Sequence, residues 1–352
     1  MHIAIDITPT QSGHKTRGVG SYTRLLVEAL QKIKSDHSFY FFTRGKKLPK
    51  NVDLVHYPYF DPFFLTLPII QPLPYVVTVH DLIPLAYPDK FPRGIRGEMK
   101  WQVQRLSLVR SKAIITDSYA SKHDIARFTG ISSDHIYPVH LAPAAHFHKV
   151  TDASLLKKIS VKYALPKKFI LYVGDVNWNK NVPGLLEAFA LIKSTEFKDL
   201  GLVFVGKAFS ETDVPEVQHI NQKIRELHIG NSVVKLGFVP DNDLATIYSL
   251  AALYVQPSFA EGFGLPILEA MACGCPVVAS DASSLSEISG PAIKVNPSDP
   301  LDMSGGIRQI LQHKNIRALS KKGIAWAEKF SWEKVANQTI TIYEKILTRA
   351  YI

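Results

Sequence analysis

Two glutamates and two glycines share one short segment, Ser258-Phe259-Ala260-Glu261-Gly262-Phe263-Gly264-Leu265-Pro266-Ile267-Leu268-Glu269-Ala270, where a strand pattern gives way to a helix. Gly262 and Gly264 let the backbone come close to a ligand, and the unpaired N–H groups of the first helical turn attract anions. Glu261 stands at that mouth. Glu269 lies about two turns further on, where a carboxylate can accept both hydroxyls of a ribose. Taken alone, the two acids are equally those of a helix with an acidic start and a surface glutamate. Lys180 sits in Val173-Gly174-Asp175-Val176-Asn177-Trp178-Asn179-Lys180-Asn181, after another strand pattern. Its ammonium suits a phosphate as a point charge, or is simply a solvated loop lysine. His80, in Thr78-Val79-His80-Asp81-Leu82-Ile83-Pro84-Leu85, ends an apolar run. An imidazole titrating near about 6.5 can donate or accept a hydrogen bond at neutral pH, which fits contact with sugar hydroxyls. Gly18-Val19-Gly20-Ser21-Tyr22 precedes a helix and reads as a helix-opening turn, or as a loop approaching a phosphate, with Gly20 the closest residue.

The elements that must hold these residues repeat in two rounds. At 352 residues the chain is about twice the usual length of one domain. Strand patterns cover His2 to Thr8, Phe39 to Arg44, Val52 to Tyr57, Tyr75 to His80, Ala113 to Asp117 and Ile136 to Leu141. A second six cover Phe169 to Val173, Leu202 to Gly206, Val233 to Val239, Leu253 to Gln256, Pro276 to Ser280 and Ala292 to Val295. Helical patterns alternate with them, among them Tyr22 to Ile33, Gly97 to Val109, Val182 to Ile192 and Asp241 to Leu250. Near-continuous apolar strands separated by helices imply parallel sheets covered on both faces. The expected architecture is α/β, with two doubly wound Rossmann-like domains facing an interdomain cleft. Residues 1–160 form an acceptor-binding domain and 161–331 a donor-binding one, with a linker over Pro143 to Lys168. A last helix, 332–352, packs back on the first domain. Ligands of open parallel sheets bind beyond the carboxyl ends of the strands, where the residues above fall.

Composition narrows the function classes. The hydrophobic fraction is 46% and the charged fraction 20%, which excludes a disordered or fibrous chain. Cys273 and Cys275 are too close for an unstrained disulfide and read as core thiols in a reducing cytoplasm. The N-terminus enters a strand directly, without a secretory pattern. Phe63 to Val79 is apolar but broken by Pro68, Pro72 and Pro74, which rules out a spanning helix there. The net charge of +10 is concentrated in residues 1 to 150, which hold nineteen Lys and Arg against eleven Asp and Glu. No basic block and no aromatic-basic alternation accompanies it, so nucleic acid is not an expected partner. An anionic membrane surface or an anionic substrate is.

From Tyr254 to Ala279 the sequence resembles the signature of the retaining glycosyltransferases of family 4, a class with two Rossmann-like domains (GT-B). The match runs through Pro257-Ser258, Glu261 to Pro266, Leu268-Glu269-Ala270-Met271-Ala272, Gly274 and Pro276-Val277-Val278. The resemblance implies that Glu269 binds the ribose hydroxyls of a nucleotide sugar. It implies that Glu261, with the backbone of Gly262, Phe263, Gly264 and Leu265, holds the transferred sugar. Lys180-Asn181 matches the family's phosphate-gripping pair, although Asp175 stands where an Arg is usual. Gly20 matches the glycine-rich loop near the donor phosphate, and His80 a histidine reaching the donor sugar or acceptor. Weaker likenesses lie at Thr116-Asp117-Ser118 and Leu236-Gly237-Phe238-Val239-Pro240.

The implied activity is metal-independent hexosyl transfer from a nucleotide-diphosphate sugar, GDP-mannose first, to a glycan or lipid-linked acceptor of a surface polysaccharide. Lys180, the helix N-terminus and the Gly20 loop would stabilise the departing diphosphate. Glu261 then contacts hydroxyls, and front-face attack assisted by the leaving phosphate follows. No cofactor and no metal is expected. Asp241-Asn242-Asp243 has the spacing of a metal-holding Asp-x-Asp, but helix capping accounts for it. The basic first half and Phe60-Asp61-Pro62-Phe63-Phe64-Leu65 point to the inner face of the cell membrane. A nucleotide-sugar epimerase or hydrolase of similar architecture, or a non-catalytic donor-binding subunit, is the alternative. A nicotinamide dehydrogenase is disfavoured, since no Gly-x-Gly-x-x-Gly follows a first strand.

Overall fold

The computed structural model describes residues 1–11 and 18–349. It divides into two compact units, Met1–Leu141 with Ser331–Ile352, and Ala142–Phe330.

The first unit is built on β1 (His2–Asp6), β2 (Ser38–Phe42), β3 (Leu54–Tyr57), β4 (Tyr75–Thr78), β5 (Ala113–Thr116) and β6 (Ile136–Pro138), with helices α1 (Gly18–Lys32), α2 (Ile83–Ala86), α3 (Gly94–Val109) and α4 (Tyr119–Thr129). The strands pair in parallel in the order β2-β1-β3-β4-β5-β6. Every residue of β3, β4 and β5 is buried, the result of an apolar run covered on both faces. Ser118 caps α4 by accepting from the Ser121 N–H, and Gly130 ends it in the left-handed conformation.

The second unit has α5 (Ala153–Lys162), β7 (Phe169–Val173), α6 (Val182–Thr195), β8 (Gly201–Val205), α7 (Pro215–Glu226), β9 (Val233–Lys235), α8 (Asp241–Leu250), β10 (Leu253–Gln256), α9 (Leu265–Ala272), β11 (Val277–Ser280), α10 (Leu285–Ile288), β12 (Ile293–Val295), α11 (Pro300–Leu311) and α12 (Ile316–Ala327). Its strands are also parallel, in the order β12-β11-β10-β7-β8-β9. The connection after β7 leads to one side of the sheet, and the chain returns on the other side through β10. The β7/β10 pair is therefore the topological switch point, beyond whose carboxyl ends a crevice opens. In the first sheet the same place is taken by β1 and β3. The last helix, α13 (Trp332–Arg349), packs on α1 of the first unit, burying Val335, Ala336 and Tyr343.

Three details differ from the sequence reading. The division falls after Leu141, not at 160, because α5 lies within the supposed linker and packs on α8 of the second unit. Gly18-Val19-Gly20 is not a loop before a helix but the first turn of α1 itself, and Gly20 is buried there. The acids at 241 and 243 do not cap α8. Pro240 takes the N-cap position without a side-chain bond, while Asp243 pairs with the Lys162 ammonium (2.6 Å) at the end of α5 and accepts from the hydroxyl of Tyr163, which follows it (2.7 Å). Asp241 faces His146 at 3.5 Å. Both cysteines are buried free thiols, and burial pushes their pKa values up.

Candidate functional site

Lys180 and Glu261 come from the loops after β7 and β10, the two strands of the switch point, and they meet. The ammonium lies 2.8 Å and 2.7 Å from the two carboxylate oxygens. Glu261 Oε1 also accepts from the Ser258 hydroxyl (2.7 Å) and the Gln256 amide (2.8 Å). Glu261 is 8% exposed, so these partners supply what water no longer does. Its backbone carbonyl accepts from the Ser283 and Ser284 hydroxyls, each at 2.9 Å, and Ser284 also reaches the Phe263 carbonyl. The turn is thus held from both its side chain and its main chain.

Asn179 and Asn181 lock the two loops together. Asn179 donates to the Ala260 carbonyl (2.9 Å), and its own carbonyl accepts from the Phe259 N–H (2.8 Å). Asn181 adopts a left-handed conformation (φ 51°), caps α6 at Gly184, and donates to the Pro257 and Pro297 carbonyls. Gly264 caps α9 at φ +100°, and a Cβ there would stand 2.4 Å from the buried Leu285. Only glycine meets both demands. Leu265 begins α9 and is partly buried, as is Glu269 one turn on.

Glu269 accepts from the Tyr248 hydroxyl at 3.2 Å. Burial pushes its carboxyl up to about 8, the Tyr248 bond opposing and the Asp241 charge adding. The side chain keeps some solvent contact, while its carboxyl is set deep enough that desolvation dominates. Asp175, where the family usually has Arg, is exposed and turns its side chain back to the Val176 N–H.

In the first unit, His80 follows β4 and Asp117 follows β5. The Thr78–Ile115 register, extended by two residues, sets them opposite one another, and His80 Nδ1 lies 2.7 Å from Asp117 Oδ2. Burial acts to lower the His80 pKa, but the Asp117 charge and hydrogen bond, with Asp81 and the Pro58 carbonyl, raise it. His80 Nε2 is buried without a hydrogen bond of good geometry. Asp81 also accepts from the Ile83 N–H at the start of α2. Beneath lies a buried chain. Tyr22 meets the His80 ring edge-on, with centroids 4.7 Å apart, and its hydroxyl lies 3.1 Å from Thr78 Oγ1. His56 bridges Thr78 (2.8 Å) and Tyr343 of α13 (2.6 Å). Burial holds His56 down at about 3, so it is neutral.

The structure therefore brings together Lys180, Glu261, Gly262, Phe263 and Gly264 with Glu269 on the following helix, and sets Gly20 and His80 in the first unit. Sequence reasoning missed Asp117 as the partner of His80, and Gln256 and Ser258 as partners of Glu261. The polar ends of otherwise apolar strands were the available signal. Among the described residues, no three His, Cys, Asp or Glu side chains form a group that could hold a metal ion.

Comparison with known proteins bears on this arrangement. The family described as Glycosyl transferases group 1 matches residues 157–326, and Glycosyltransferase Family 4 matches residues 38–142. O-antigen chain mannosyltransferase B of Escherichia coli is 36% identical over 272 residues, 76% of this chain and 70% of that protein. Serotype-specific mannosyltransferase WbdA of the same species is 29% identical over 77% of this chain, which spans 33% of that longer protein. In fold the chain is similar to sucrose-phosphate synthase from Thermosynechococcus elongatus (TM-score 0.78, 21% identity, 99% of each chain). It is also similar to WaaG, a glycosyltransferase involved in lipopolysaccharide biosynthesis (TM-score 0.70, 12% identity, 96% of this chain and 98% of that one). These matches give no support to an epimerase, a hydrolase or a non-catalytic subunit. With two parallel six-stranded units of GT-B type and a signature segment at the second switch point, the chain belongs to the group 1, family 4 glycosyltransferases and is a glycosyltransferase.

Proposed function

We propose that this enzyme transfers mannose from GDP-mannose, with retention of configuration and without a metal ion, to a growing surface glycan. The observation that carries this reading is the Lys180–Glu261 pair at the β7/β10 switch point, with Glu269 on the helix that follows. The ribose hydroxyls donate to Glu269. The diphosphate draws the Lys180 ammonium away from Glu261 and meets the N-terminal end of α9, whose unpaired N–H groups face negative charge. Glu261, released from the ammonium and still held by Ser258 and Gln256, accepts from hydroxyls of the sugar. Backbone of Gly262, Phe263, Gly264 and Leu265 lines the same turn. In the first unit Gly20 stands by the donor phosphate, and His80, whose pKa Asp117 raises, donates to the transferred sugar or the acceptor. Mannose is chosen because the relatives described above carry mannosyltransferase names.

Glu261, already engaged by three side chains, is poorly placed to form a covalent bond, and front-face attack assisted by the leaving diphosphate is the consistent route. Charge develops on the β-phosphate, where Lys180 and the helix end stabilise it. Attachment to an anionic membrane rests on the first unit. Phe64, Leu65, Ile69, Ile70, Ile95 and Met99 are exposed there, with Lys100 over the Phe64 ring at 5.2 Å. Phe60 is buried and takes no part. No helix among the described residues is long and apolar enough to cross a membrane.

The test is a panel of GDP-, UDP-, ADP- and dTDP-sugars incubated with a lipid-linked mannan acceptor, with and without EDTA. Extension of the acceptor from GDP-mannose alone, insensitive to EDTA, is expected. Product from another nucleotide alone, loss of product with EDTA, or release of free mannose without transfer would each overturn the corresponding part of the reading.

A further inference from the structure

Next to the loop that carries Lys180 lies a groove to which the donor reading assigns no role. The residues Trp178–Lys180 form one 3-10 turn, whose first and third side chains leave it about 120° apart around its axis. Lys180 points to Glu261. Trp178 stacks on Phe259, with ring centroids 5.0 Å apart and planes inclined by 23°. The pair is rigid because the buried Asn179 between them fastens both loops. Next to it is a groove of about 430 Å³, walled by Trp178, Phe259 and Ile220 and rimmed by the exposed Asn177, Glu216 and His219. That volume is within the usual range of small-ligand sites, roughly 300–1,000 Å³.

We propose that this groove is a second carbohydrate site, holding a disaccharide-sized stretch of neutral glycan away from the reacting end. The argument is one of complementarity. A pyranose presents an apolar C–H face whose hydrogens carry partial positive charge and seat on the negative face of an aromatic ring. Its hydroxyl edge needs an amide, a carboxylate and an imidazole, which the rim supplies. In a chain of net charge +10, no lysine or arginine among the described residues lines the groove, so it is not built for a phosphate or an anionic headgroup. A single carboxylate is likewise too little for a cation. The inference rests on the reading that the acceptor is a polymeric glycan. It adds a holding point that favours long acceptors over short ones.

The experiment is titration of the full chain with mannotetraose, followed by tryptophan fluorescence, and with GDP by calorimetry in the same preparations. Wild type should bind mannotetraose saturably, and Trp178→Ala should weaken that binding at least tenfold, measured by calorimetry. His219→Ala, at an exposed rim position, should weaken it several-fold and guards against a folding defect in the first variant. GDP affinity should stay within about twofold in both, and KM for a long acceptor should rise while KM for a short one does not. Absence of saturable mannotetraose binding with GDP binding intact would overturn this inference alone. So would undiminished mannotetraose binding in both variants. Loss of GDP binding with mannotetraose binding retained would instead overturn the donor reading and leave the groove assignment standing.

Discussion

If Glu269 takes the ribose hydroxyls as proposed, donor affinity should depend on pH in a calculable way. Ribose hydroxyls donate hydrogen bonds, so the carboxyl must be ionised to accept two of them, and in the free protein burial holds it up at about 8. Each pH unit below that value costs about 1.4 kcal/mol to remove the proton, a tenfold loss of affinity. GDP binding should therefore be about tenfold weaker at pH 7 than at its plateau above pH 8, and about a hundredfold weaker at pH 6. The nucleotide's own phosphate titrates in this range, so the measured quantity is the ratio of wild-type to Glu269→Gln affinity, in which that effect cancels. Calorimetry at intervals from pH 6 to pH 9 should show the ratio climbing and then levelling, because glutamine resembles the protonated acid at every pH. Stability of the free protein moves oppositely. The unfolded carboxyl ionises near 4.5 and the folded one near 8. The native state therefore holds the extra proton across that window, and its stability falls as pH rises through it and is flat beyond. A ratio that stays constant from pH 6 to pH 9 would refute the reasoning, as would a Glu269→Gln variant that binds GDP like wild type above pH 8.

Asp117→Asn removes the charge that does most to raise His80 against its burial, so the His80 pKa should fall. The basic limb of the pH–rate profile should shift to lower pH, and the His80 ring resonances followed by NMR should titrate at lower pH than in wild type; an unmoved titration would exclude Asp117 as the controlling group. Lys180 and Glu261, paired at 2.7 Å, should respond in opposite directions if, as proposed, the diphosphate competes with Glu261 for the one ammonium. Lys180→Met should weaken GDP binding at least tenfold and, by stranding a buried carboxylate, destabilise the second unit by up to about 3–5 kcal/mol. Glu261→Gln should leave GDP binding equal or tighter while lowering kcat, as calorimetry and steady-state kinetics would show.

Much of the fold was legible because parallel, doubly covered strands advertise themselves. Ile170, Leu171 and Tyr172 are fully buried in β7, as are Leu253, Tyr254 and Val255 in β10, and continuous apolar runs of that kind survive any detail of packing. Boundaries were less legible. Gly18 to Gly20 were read as a loop because glycine disfavours helix interiors, yet they sit in the first turn of α1, where Gly20 is buried. Asp243 looked like a cap because spacing along the chain was the only information, whereas α5 and the residue that follows it offered an ammonium and a hydroxyl from some 80 residues away.

The candidate site divides in the same manner. Residue types and order along the chain offered Glu261, Gly264, Glu269 and Lys180 only beside plainer readings, a helix with an acidic start and a solvated loop lysine, and it was the resemblance of the segment to family 4 that chose them. That Lys180 and Glu261 neutralise one another depends on β7 and β10 being neighbours, although 81 positions separate the residues. That Asp117 steers His80 depends on the register of β4 against β5. The raised titration of Glu269 depends on how much protein closes over a carboxyl. Composition and periodicity act through neighbours within a few residues and so determined the elements and the chemistry available. Charge pairing, protonation and the aromatic groove depend on distances across the sheet, which only the folded chain decided.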